Sequence, residues 1–177
     1  DVLTSRGLGD VYKRQEGDCG ACSVLIFEEK GNLAPINSCI LKVGQILDKN
    51  IVTIEGASKL DSAKPLIEAL NSKAASQCGF CTPGFVMAAL ALKEKHKNPS
   101  ERIIHDSLSG NLCRCTGYRP IVNGVQSLKE KIKLPLPISA KGSSLKSAVF
   151  GETIYNYPKS KKELLEFISK EKNYTIL

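Results

Sequence analysis

Apolar positions along this chain change their period after the first third, and the change divides it. From Ser23 the run SVLIF gathers strand-forming residues, Lys30-Gly31-Asn32 follows as a turn, and a second short segment leads to Cys39. Ile51 to Ile54 (IVTI) predicts another strand, closed by Gly56. Beyond Gly56 the spacing becomes helical. Leu66, Ile67 and Leu70 share one face of a helix predicted over 60–75. Thr82-Pro83 predicts the start of a second helix, with threonine as the cap and proline in the first turn. Phe85, Val86, Ala89, Leu90 and Leu92 carry that pattern to about Lys97, where Asn98-Pro99 stops it. Ser100 caps a third helix holding Ile103, Ile104 and Leu108, which Gly110 ends. Pro120 opens a fourth, with Ile121, Val122, Val125, Leu128 and Ile132 on one face.

Leu134-Pro135-Leu136-Pro137 breaks the fourth helix, and 135–152 reads as a linker containing Gly142, Ser143, Ser144 and Ser147. Ser160 then caps a short amphipathic helix carrying Leu164, Leu165, Phe167 and Ile168, and Tyr174 to Leu177 begins like a strand. One αβ fragment cannot bury its apolar face alone, so the chain is expected to end inside a further domain. Residues 1–15 show neither period nor caps.

The net charge of +7 changes this picture little. Much of the excess sits in lysines of the last fifty residues, interleaved with Glu130, Glu152 and Glu163, as on a solvated face. Nothing resembles an arginine-rich reading helix, so nucleic acid is not an expected partner. No apolar run approaches the length of a membrane span, and no secretory pattern is visible. The expected compartment is the reducing cytoplasm, where closely spaced thiols favour metal over disulfide.

Seven cysteines carry the candidate chemistry, in two sets. Cys19, Cys22 and Cys39 lie in EGDCGACSV and INSC; Cys78, Cys81, Cys113 and Cys115 lie in SQCGFCTPGF and GNLCRCTGYRP. Thiolates this close converge on one metal centre, and iron–sulfur clusters take four of them. Cys19 and Cys22 match the last two members of the C-x4-C-x2-C…C ferredoxin spacing, with Cys39 as the distant fourth. The first member belongs at position 14, where this sequence has Arg14. The two halves of the second set stand just before the second and fourth predicted helices. Helix amino ends offer free N–H groups and a positive dipole, which suit thiolates and an anionic cluster. Structural zinc is the rival for the second set, but the one-residue gap Cys113-Arg-Cys115 departs from paired CxxC, and His96 and His105 lie on helices away from both motifs.

EGDCGAC, NSC, QCGFCTPG and LCRCTGYRP, in that order, resemble the iron–sulfur part of the molybdenum hydroxylases: xanthine dehydrogenase, aldehyde oxidoreductase and the small subunit of carbon monoxide dehydrogenase. The likeness runs from Glu16 to Leu134. It implies an α+β chain with a truncated β-grasp ferredoxin-type domain over 16–57 and a four-helix [2Fe-2S]-binding domain over 58–134. It also implies two [2Fe-2S] clusters, the first lacking its usual cysteine at position 14. Residues 1–15 are then expected to be a non-native scar, since DVYKRQ resembles a translated sequencing-adapter end. The stretch 153–177 resembles the opening of the family's FAD-binding domain.

By the same resemblance, electrons pass from a molybdopterin centre in another subunit or domain through both clusters to FAD. Cys78, Cys81, Cys113 and Cys115 would hold the cluster nearer molybdenum, and Cys19, Cys22 and Cys39 the one nearer flavin. Gln77 matches a glutamine that faces the pterin; read without the family it is a polar residue at a helix end. No bond-breaking site is expected in the chain. The other reading is a stand-alone iron–sulfur carrier or regulatory module. Phe80 and Phe85 are expected in the core, and Tyr118 against the second cysteine set.

Overall fold

The computed structural model describes residues 17–27, 32–47, 49–135, 147–150, 152–171, 174 and 175. Arg14, most of the Lys30-Gly31-Asn32 turn, the middle of the linker and the last two residues lie outside them.

Strand β1 (Ser23–Phe27) is the centre of a three-stranded antiparallel sheet. It pairs with β2 (Leu33–Asn37) from Ser23 opposite Asn37 to Phe27 opposite Leu33. Its other edge meets the two-residue β3 (Ile51–Val52), Leu25 opposite Val52. Successive side chains of a strand point to opposite faces, so the burial of both Leu25 and Ile26 shows that β1 is covered on both, in keeping with the apolar run SVLIF. The strand expected over 51–54 stops at Val52, because Thr53 turns the chain into a short helix, α1 (Ile54–Ser58), with Gly56 inside it.

The helix predicted over 60–75 divides into a 3₁₀ turn, Asp61–Ala63, and α2 (Lys64–Ser72), with Pro65 in the first turn. Leu66 and Leu70 are buried from it, as its spacing predicts. Helix α3 (Thr82–Lys95) has Pro83 in its first turn, but Thr82 is its first helical residue and not its cap; the hydroxyl instead bonds that of Ser76 at 2.8 Å. Ser100 does cap α4 (Glu101–Leu108), accepting from the Ile103 amide at 3.4 Å. The fourth predicted helix is shorter than its apolar pattern: α5 spans Arg119–Ser127. Ile132 and Leu134 remain buried, in an extended tail laid on the bundle.

Helix α3 is the axis of the core. Every residue from Gly84 to Lys93 is buried, so no polar face interrupts it. It packs on β1 and β2 as well as on α1, α2 and α4, while α5 closes against α2 and α4. Lys93, 0 % exposed, sits among these apolar residues. Its ammonium donates to the carbonyls of Lys97 at 2.6 Å and Leu128 at 2.7 Å, and its own carbonyl accepts from the Ile132 amide at 3.1 Å. These bonds pin the tail that follows α5.

Residues 147–150, expected as the end of a linker, form β4 (Ser147–Phe150), which pairs antiparallel with β5 (Thr153–Asn156). Ser160 caps α6 (Lys161–Lys170), as predicted, accepting from the Glu163 amide at 3.2 Å. The Tyr157 hydroxyl donates to the Gly44 carbonyl at 2.6 Å, so this hairpin touches the segment just after Cys39. Residues 174 and 175 are not in a strand. Among the described residues no helix is long and apolar enough to cross a membrane.

Candidate iron–sulfur site

Two loops carry the first cysteine set. Gly17 and Gly20 have φ of +71° and +66°, so the 17–22 segment coils tightly ahead of β1. Ser23 closes the coil, its amide and hydroxyl both donating to the Gly20 carbonyl at 3.0 and 2.6 Å. Asn37, opposite Ser23 in β2, donates to the Gly17 carbonyl at 2.7 Å. Strand pairing thereby brings Cys39 to Cys22: the Cys39 amide donates to Cys22 Sγ at 3.4 Å, and the Ser38 hydroxyl to the Cys22 carbonyl at 2.9 Å.

The second set assembles at the amino ends of two helices, as its spacing predicts. Cys81 is the residue before α3, and Cys113 and Cys115 precede α5. Cys78 and Cys115 are 3.4 Å apart at sulfur. Cys113, 6 % exposed, is the buried member; its sulfur is 3.0 Å from the Thr116 hydroxyl and accepts from the Thr116 amide at 3.4 Å.

The thiols pair unevenly. The Phe80 amide and the Cys115 thiol hold Cys78 below an ordinary thiol value, while the bond to Cys78 raises Cys115. Burial works against ionisation of Cys113, but hydrogen bonds from the Thr116 hydroxyl and amide outweigh it and lower the thiol. Its neighbour Cys81 is pushed up to about 12, by burial and then by its bond to Cys113. Burial of Cys22 is likewise outweighed by hydrogen bonds from Cys39 and Ser38, and burial together with Cys22 pushes Cys39 up to about 11. Six of the seven cysteines thus fall into three pairs, each with one acidic and one reluctant member. Cys19 is in no such pair among the described residues.

Pairs are what a two-iron cluster asks for, since four thiolates are shared between two irons. Among the described residues no group of three or more His, Cys, Asp or Glu side chains is placed to hold a single metal ion. The donors present therefore fit a [2Fe-2S] group over Cys78, Cys115, Cys81 and Cys113, and half of one over Cys22 and Cys39.

The two sets meet. The Leu112 amide, next to Cys113, donates to the Cys19 carbonyl at 2.9 Å, and Asn111 Nδ2 donates to the Gly20 carbonyl at 3.0 Å. Gly84 of α3 lies against the same place: a side-chain carbon there would run into the Gly20 carbonyl and Asn111 Nδ2. Sequence spacing carries no signal for this joint, because its partners are about ninety residues apart. Gln77 is exposed beside Cys78. Phe80, expected in the core, is 50 % exposed on the same rim, because its loop turns outward between two cysteines; Phe85 is buried. Tyr118 packs edge-on against Phe85, ring centroids 6.3 Å apart, and its hydroxyl accepts from the Cys113 amide at 3.1 Å. Arg119 pairs with Glu101 at 2.8 Å.

Paired cysteines at two helix starts define an iron–sulfur binding domain, and a family model described as the [2Fe-2S] binding domain matches residues 53–126. The xanthine dehydrogenase of Emericella nidulans is 40 % identical over 122 residues, 66 % of this chain and 9 % of that protein. Aldehyde oxidase 1 of Bos taurus is 38 % identical over 125 residues, 67 % of this chain and 9 % of that protein. Among solved structures, quinoline 2-oxidoreductase from Pseudomonas putida 86 aligns with a TM-score of 0.58 at 34 % identity, covering 67 % of this chain and 70 % of that one. The chain belongs to the iron–sulfur part of the molybdenum hydroxylase family. The matched segment spans about a tenth of the length of these curated relatives.

Proposed function

We propose that this chain conducts electrons inside a xanthine dehydrogenase-like molybdenum hydroxylase, from a molybdopterin centre through two [2Fe-2S] clusters to FAD. The molybdopterin lies in a partner subunit or domain. In this reading 16–57 is a truncated β-grasp ferredoxin domain, 58–134 the four-helix cluster domain, 135–152 the linker, and 153–177 the start of the FAD domain. Residues 1–15 are a scar that removed the cysteine expected at position 14. Each cluster, when bound, supplies one-electron acceptance and release.

The chain's own residues hold and tune those groups. Cys78, Cys81, Cys113 and Cys115 would hold the cluster of the helical domain. Cys19, Cys22 and Cys39 would hold the other cluster, which lacks the cysteine expected at position 14. Gln77, exposed beside Cys78, faces the pterin. The observation that carries the reading is the Leu112 amide bonded to the Cys19 carbonyl at 2.9 Å, which joins the backbone of one cysteine set to that of the other. A relay needs its two stations held at a fixed separation, and this bond does so without depending on a flexible linker.

Iron and acid-labile sulfide per chain after anaerobic reconstitution, with EPR of the reduced sample, test it. One complete two-iron cluster is expected, and Arg14→Cys is expected to raise the yield towards two. Zinc without iron would overturn the reading.

A further inference from the structure

Tyr118 is a bulky residue in a left-handed backbone, φ +67° and ψ −32°, directly after Gly117 at φ +66°. Such strain persists only where the surroundings over-determine it, and it collects at functional sites. Here the strained turn makes two hydrogen bonds beside one cysteine. The Tyr118 hydroxyl accepts from the Cys113 amide at 3.1 Å, and the Tyr118 amide donates to Thr116 Oγ1 at 3.2 Å.

The second bond fixes a proton. With Thr116 Oγ1 accepting from the Tyr118 amide, the hydroxyl hydrogen is free to point at Cys113 Sγ, 3.0 Å away. A cysteine bound to iron is a thiolate and carries no proton, so between these two atoms only threonine can donate. The Thr116 amide adds a second donor to the same sulfur at 3.4 Å. Cys113 is the buried member of its set, where low polarity strengthens each such bond. Cys78 and Cys115 face solvent, and the donor at Cys78 is the Phe80 backbone amide, not a side-chain hydroxyl.

We infer that Thr116 sets the reduction potential of the cluster held by the second cysteine set, with Tyr118 as the clamp that aims its hydroxyl at Cys113 Sγ. This rests on the reading that Cys78, Cys81, Cys113 and Cys115 hold a cluster. Donors aimed at a ligating sulfur stabilise the extra negative charge of the reduced state, so they raise the potential. The Tyr118 amide, presented by that turn, is what orients the Thr116 hydroxyl.

The test is a dithionite redox titration of the reconstituted chain, following the EPR signal that disappears in Cys78→Ser. Thr116→Val, which keeps shape and removes the hydroxyl, is expected to shift the midpoint to more negative potential. Thr116→Ser, which keeps the donor, should stay near the parent value, and Tyr118→Phe should move the same way as Thr116→Val by less. An unmoved potential in a Thr116→Val chain with full iron overturns the inference. If Thr116→Val fails to load iron, Thr116→Ala carries the test, and an unmoved potential in its loaded form overturns the inference. A parent chain that gathers no iron and sulfide defeats the cluster reading itself, an outcome distinct from loaded variants with unchanged potentials.

Discussion

Asn111 and Gly20, 91 residues apart, are joined by a 3.0 Å hydrogen bond from the Asn111 side-chain amide to the Gly20 carbonyl. The same carbonyl takes two donors from Ser23, and Asn111 is only 5 % exposed. Asn111→Leu removes the donor and leaves an apolar group against a polar backbone turn. The expected loss is about 1–3 kcal/mol, the range for stripping one partner from a buried hydrogen bond. The urea midpoint measures it.

Gly84→Ala sets two effects against each other. Alanine in a helix interior gains about 1 kcal/mol over glycine in intrinsic propensity. The added methyl, however, meets the Gly20 carbonyl, which is backbone and cannot rotate away. Overpacking a rigid contact costs about 1–3 kcal/mol, so the net change should be destabilising. A chain as stable as the parent in urea would show that the loop at Gly20 yields freely.

Lys93→Met keeps the volume of the buried side chain and strips the donors from the Lys97 and Leu128 carbonyls. Hydrogen bonds from charged groups are worth about 1.5–3 kcal/mol, and part of that is offset by relieving a buried charge, leaving an expected loss of about 1–3 kcal/mol. A pH signature separates this from simple packing. Burial, with Lys129 nearby, lowers Lys93 from the ordinary 10.5. The unfolded chain then holds its proton to higher pH than the folded one, so the parent gains stability as pH rises between the lowered value and 10.5. Lys93→Met lacks that gain, and the gap between the two chains should widen across the window.

In the metal-free chain, thiol reactivity should follow the pairing. Cys78 is exposed and lowered, whereas Cys81 is half-buried and pushed up to about 12. The thiolate is the nucleophile, so iodoacetamide at mildly alkaline pH should label Cys78 well before Cys81. Peptide mass spectrometry over a time course reads the order. Equal rates would mean that the Cys78–Cys115 and Cys81–Cys113 pairs do not form in solution.

What sequence reasoning could reach here follows from distance along the chain. Cys78 with Cys81, and Cys113 with Cys115, are local motifs, and their place ahead of α3 and α5 follows from Pro83 and Pro120 a few residues on. The Ser100 and Ser160 caps are equally local. Lys93 gave no signal, because α3 is buried on all sides and offers no polar face against which a buried lysine would stand out. Ile132 kept helical spacing with Val125 although the helix ends at Ser127; an extended tail returning over the core buries the same residues. The Ile54 strand end was misread because IVTI favours strands whatever follows it, and the turn at Thr53 is set by packing of α1 on α3.

Helix α3 leans on β1 and β2 with one side and on α1, α2 and α4 with the others, and Gly84 at its start touches the loop of the opposite cysteine set. Neither half of the molecule possesses a complete interior without it. Residues 17–135 should therefore melt in a single step, and injury at one cysteine loop is inherited by the other.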